Sequence, residues 1–134
     1  MERQRVSPLL LGVVLVLVTF ATTTALAHHS VAGQFDMTKQ TVVSGTITKI
    51  DWVNPHIYIY LEVKDDKGEV TTWSLSGPPT AMMRRAGLTK DSVMGKPGEI
   101  VTANIAPARD GTKNLAWVSK ITYADGRFHQ FAGQ

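Results

Sequence analysis

The sequence predicts a mainly β fold: a small OB-like five-stranded barrel with one short helix between strands 3 and 4. Three observations carry that reading. Residues 57–63 alternate, with Ile57, Ile59, Leu61 and Val63 on one side and Tyr58, Tyr60 and Glu62 on the other. Such a period of two marks a strand with one buried face. Similar short stretches recur along the chain with turn residues between them. A single helical signal falls between the third and fourth of them, where Pro78 and Pro79 open a run of residues 81–86 that Gly87 stops. Strand, strand, strand, helix, strand, strand is the element order of an OB barrel. An immunoglobulin-like sandwich would need about seven strands and no central helix.

The elements follow in order. In residues 41–50, Val43, Gly45 and Ile47 share one face and Ser44, Thr46 and Thr48 the other, with Gly45 at a bend or close backbone approach. Asn54-Pro55 is turn chemistry, because proline fixes φ and removes a ladder donor. It leaves His56 at the mouth of the second strand, on the face turned away from the core. The turn Asp65-Asp66-Lys67-Gly68 closes a hairpin with residues 70–76, where Trp73 and Leu75 point together. In the helix, Met82, Met83 and Ala86 are expected to form the buried stripe and Arg84 and Arg85 to be solvated, the methionines serving as core filler. After Lys96-Pro97-Gly98, residues 99–108 place Val101, Ala103 and Ile105 on one face. Asp110-Gly111 then leads into a last strand over residues 115–123. Asp125-Gly126 makes one more turn before residues 128–131, where His129 is expected to be solvated, and a loose tail.

The start of the chain reads as an export signal. Arg3 and Arg5 precede an apolar run over residues 8–20, and Ala25-Leu26-Ala27 offers the small residues of a cleavage site. The run is short for a membrane span. The expected organisation is a signal peptide over residues 1–27, an N-terminal arm over residues 28–40 pinned by Phe35, and the barrel over residues 41–131. The net charge is +3; cleavage removes two of the 14 basic and one of the 11 acidic residues, which leaves +2. That charge is too small and too dispersed for a nucleic-acid surface, so no nucleic-acid partner is expected. Nor is a membrane partner once the signal is gone. There are no cysteines, so an exported chain of this size must rest on its hydrophobic core without disulfides.

Three features together resemble a known family: His28-His29-Ser30 behind the Ala-Leu-Ala site, the segment Trp52-Val53-Asn54-Pro55-His56, and the stretch Ala81-Met82-Met83-Arg84-Arg85-Ala86-Gly87-Leu88. The chain is similar to small exported bacterial proteins of unknown function marked by His-His-Ser and Asn-Pro-His. The resemblance spans the chain beyond the signal and implies a periplasmic or secreted OB-like domain. It implies no activity.

Candidate chemistry centres on histidine. Cleavage after Ala27 makes His28 the first residue, and its amine and imidazole can then bind one metal ion together. Neutral imidazole suits copper, zinc and nickel, and Cu(II) is the strongest divalent binder in the affinity series. Completed by His29 or His56, such a chelate resembles the copper-binding arrangement of lytic polysaccharide monooxygenases and periplasmic copper carriers. Copper is thus the expected cofactor, with His28, His29 and His56 as its ligands. The amine-amide-amide-imidazole motif needs histidine at the third position, which Ser30 occupies. The plainer alternative is a solvated terminus and a His56 that caps the Asn54 turn or stacks on Trp52.

The second class is ligand binding without a metal, on a platform of Trp52, Asn54, Tyr58 and Tyr60 that would take a sugar, another small ligand or a protein partner. Its plainer alternative is that the tyrosines only make cross-strand pairs. Catalysis is not expected: no nucleophile-elbow pattern is present, and Asp51, Glu62 and Asp65 crowd one β unit rather than forming a catalytic carboxylate pair.

Overall fold

The computed structural model describes residues 30–131. The chain opens with the one-turn helix α1, Val31–Gln34, and then enters β1, Thr41–Asp51. Next come β2, Tyr58–Lys64, and β3, Val70–Ser76. Two short helices follow, α2, Thr80–Arg85, and α3, Lys90–Met94, and after them β4, Ile100–Pro107, β5, Leu115–Tyr123, and β6, Phe128–Gln130. The strand order is β3-β2-β1-β4-β5-β6, and a pairing of β3 with β5 closes the first five strands into a barrel. Every ladder is antiparallel except that closing one, in which Ser74, Leu75 and Ser76 run parallel to Leu115, Ala116 and Trp117. This is the expected five-stranded OB-like barrel.

The alternating residues fill its interior. Ile57, Ile59, Leu61, Leu75, Val93, Ala103, Val118 and Ile121 are wholly buried in one continuous core cluster, each large aliphatic side chain contributing about 1.5–3 kcal/mol. Gly45 is required where β1 crosses β2, since a side chain there would run into the carbonyl of Glu62.

Four departures from the sequence reading have physical causes. The β3–β4 connection holds two helices, because Thr89 starts a second one: its hydroxyl accepts from the Ser92 amide at 3.1 Å while the Ser92 hydroxyl accepts from the Thr89 amide at 3.0 Å, a reciprocal cap. In α2 only Met83 enters the core, while Met82 and Ala86 are exposed. One turn and a half of helix lays a single position on the barrel rather than a stripe. Residues 128–130, to which the sequence reading gave no strand, form β6, paired with β5 through His129 opposite Ile121. His129 is accordingly half-buried, with its Nε2 donating to the Ser92 carbonyl at 3.1 Å.

Two bulges change which side chains face inward. An extra residue, Thr48, separates the Ile47–Leu61 and Lys49–Tyr60 pairs. Another, Ser119, separates Val118–Ile105 from Lys120–Asn104. Each bulge flips the in-out parity beyond it. Ile47 and Ile50 can therefore both be buried, and Trp117 faces outward while Ile121 faces in.

Candidate functional site

Outward-facing Trp117 is not left to solvent. It is the centre of a second apolar cluster with Phe35, Ala106 and Ala108, against which Val31, Met37 and Leu115 pack. The Phe35 and Trp117 rings lie 6.1 Å apart. Phe35 reaches this wall because it forms an isolated bridge with Ala108, and the Asp36 amide donates to the Pro107 carbonyl at 2.8 Å. The expected anchoring role of Phe35 thus has a definite seat on the outside of β4 and β5.

His56 stands against the same tryptophan, edge-on, with ring centroids 5.8 Å apart and planes at 85°. Its Nδ1 lies 3.0 Å from the carbonyl oxygen of Gly77. A carbonyl can only accept, so Nδ1 carries a proton, and the tautomer this contact selects leaves Nε2 as the ring's acceptor nitrogen. The backbone holds the partner in place: the Gly77 amide donates to the Ile57 carbonyl at 2.9 Å, and the Ile57 amide donates to the Pro78 carbonyl at 3.2 Å. Gly77 has no space for a side chain, since an added Cβ would sit 2.8 Å from Cγ1 of Ile57. The plainer expectation for His56, a cap on the Asn54 turn or a stack on Trp52, gives way to these two partners, Gly77 and Trp117.

The other sequence-derived residues disperse. The Asn54–Pro55 peptide is cis. Oδ1 of Asn54 accepts a hydrogen bond from the buried Thr80 hydroxyl at 2.9 Å, and that hydroxyl in turn accepts from the Arg84 guanidinium at 3.1 Å. This relay ties the loop between β1 and β2 to α2. Trp52 packs on the barrel core. Tyr60 faces outward and donates to Asp51 at 3.0 Å, while Lys49 binds the other oxygen of Asp51 at 2.8 Å and sits 4.9 Å above the Tyr60 ring. The bond from Lys49 first, and then that from Tyr60, hold the Asp51 carboxyl below its ordinary range, and the same carboxylate raises the Tyr60 phenol. Tyr58 lies across from Asp51 and Ser76. Tyr60 is thus part of a cross-strand ion and hydrogen-bond network.

His28 and His29 lie outside the described residues. Among the described residues, no group of three or more histidine or acidic side chains is placed to hold a metal ion. The two neighbours of His56, Trp117 and Gly77, carry no local signal in the sequence: the bulge at Ser119 hides the outward direction of Trp117, and the packing of Gly77 on Ile57 is a long-range contact.

Fold and site together define a closed OB-like β-barrel in which the half-buried His56 imidazole is held through its Nδ1 at Gly77 and edge-on against Trp117. Residues 15–116 match a family of unknown function, DUF6152. The chain belongs to that family. Comparison with curated proteins and with solved structures found no match.

Proposed function

We propose that the protein is an exported copper-binding protein whose ligands are the amine and imidazole of His28, the imidazole of His29 and Nε2 of His56. The observation that carries this reading is the state of His56. A metal-binding histidine characteristically donates its other ring N–H to a carboxylate or a backbone carbonyl, which fixes tautomer and orientation. His56 does this toward Gly77. The His-His-Ser and Asn-Pro-His motifs that mark similar exported proteins would on this reading be two parts of one metal site, and Cu(II) suits a set of nitrogen ligands in a thiol-free exported chain.

The metal-free platform of Trp52, Asn54, Tyr58 and Tyr60 has less to support it. Trp52 is committed to the core, Asn54 to Thr80, and the Tyr60 ring to Lys49.

Two measurements test the proposal. Mass spectrometry of the exported protein should find a chain beginning at His28, and titration of that chain with Cu(II) should saturate at one equivalent. A mature chain with a different first residue, or uptake without saturation, would remove the amino-terminal chelate.

A further inference from the structure

A chain of ring contacts runs from the arm to the His56 imidazole. Phe35 lies 6.1 Å from Trp117, and Trp117 meets His56 at 5.8 Å. Trp117 thus touches both, and it is buried. The bond from Nδ1 to the Gly77 carbonyl fixes one atom of the His56 ring; the edge contact with Trp117 supplies a second point. The arm itself is lightly held. Helix α1 buries no residue, and Phe35 reaches its seat through a single bridge to Ala108. From the β4–β5 connection, Arg109 adds a clasp. Its amide donates to the Gln34 carbonyl at 3.0 Å, its Nε donates to the Ala32 carbonyl at 2.7 Å, and its guanidinium stands 3.8 Å from the Asp36 carboxylate. The Thr38 hydroxyl donates to the same carboxylate at 2.7 Å. Arg109 is exposed and belongs to neither apolar cluster, so it grips the arm from outside the ring contacts.

We infer that residues 31–36 form a strap, clasped by Arg109, whose closure is passed through Trp117 to hold the His56 imidazole in place. The two-state element is the strap, which can open locally while the barrel stays folded. Closed, it seats Phe35 against Trp117 and keeps the indole where it supports the His56 ring. Open, it uncovers Trp117 and leaves that ring with its Gly77 bond alone. The coupling needs no bound metal and stands apart from the copper reading. Its strength is set by the ring contacts, and an edge-to-face aromatic pair corresponds to a factor of about 2–10 in an opening equilibrium.

The test uses the purified protein with no metal added and the variants Arg109→Ala, Phe35→Ala and His56→Ala. Exchange of the Phe35 and Asp36 amides, which donate to Val31 and Pro107, reads the strap. Nuclear magnetic resonance of the His56 ring protons, identified by their loss in His56→Ala, reads the imidazole. Arg109→Ala loosens the strap without touching the ring contacts. It should speed exchange at both amides and displace the His56 and Trp117 ring signals, in the direction in which Phe35→Ala moves them further. The signals of His129, whose ring lies against Tyr123, and the protection of β1 to β4 should not change in Arg109→Ala. Coupling is reciprocal, so His56→Ala should itself speed exchange at the strap by about 2–10-fold. A strap that opens in Arg109→Ala while the His56 and Trp117 signals stay fixed overturns the coupling, as does unchanged strap exchange in His56→Ala. Unchanged strap exchange in Arg109→Ala overturns the clasp.

Discussion

The barrel interior and the pad beneath the arm are both apolar, yet they are built differently. The interior draws buried side chains from β1 to β5 and from both helices between β3 and β4, so each residue is held from several directions. The pad has four buried members, and one of them, Phe35, arrives on a short arm held by a bridge and a few polar contacts. A side chain lost from the interior leaves a cavity that no single element can close. A side chain lost from the pad can instead let the arm lift away. Local opening of this kind occurs at a lower free energy than global unfolding. The part of the molecule that carries the proposed chemistry is thus the part least supported by the barrel.

The largest effect should come from the interior. Leu61→Ala, at a wholly buried position, should lower global stability by about 2–5 kcal/mol, read as a shift in the urea midpoint with all probes moving together. Phe35→Ala tests the contrast. In a core, such a truncation costs about 3–5 kcal/mol; here the urea midpoint should move less than that, while proteolysis and amide exchange in residues 31–36 should accelerate. A Phe35→Ala loss as large and as cooperative as that of Leu61→Ala would merge the two regions into one unit.

Alkali and acid should separate the same two regions. Burial pushes the Tyr123 phenol up to about 12, and its hydroxyl donates to the Val93 carbonyl at 2.6 Å, closing the helical end of the barrel. The folded state keeps this proton longer than the unfolded chain, so the stabilisation is complete below the ordinary phenol pKa and is lost as pH rises toward about 12. Tyr123→Phe should flatten that alkaline limb. The Asp36 carboxyl is shifted the opposite way, chiefly by Thr38, with Arg109 adding a smaller effect. Its contribution is present above the ordinary aspartate range and is lost as pH falls through its lowered value. Acid should therefore loosen residues 31–36 before the barrel, the smallest of these effects, visible by amide exchange.

Much of the barrel was legible because alternation at Ile57, Ile59 and Leu61, at Val101, Ala103 and Ile105, and the turn residues between strands are local signals. What escaped depended on parity or on distant pairing. The bulge at Ser119 turns Trp117 outward, and nothing in a period of two announces it. The β6 strand exists because residues 128–130 find the edge of β5, a contact that three residues cannot signal alone. The Ser92 hydroxyl that caps α3 reads in sequence as an ordinary loop residue. For the candidate site, His56 could be placed at a strand mouth and facing away from the core. Its Nδ1 partner lies 21 residues away, at Gly77, and its aromatic neighbour lies on another strand, so neither could be read from spacing.

The central claim is that Nε2 of His56 joins the amino-terminal histidines around one copper ion. Electron paramagnetic resonance of the Cu(II)-loaded mature chain, compared with His56→Ala, tests it most directly. The expected result is a spectrum with nitrogen couplings from the terminal chelate and from His56, the latter lost in the variant together with at least tenfold in affinity, about 1.4 kcal/mol. Identical spectra and equal affinities in the two proteins would contradict it.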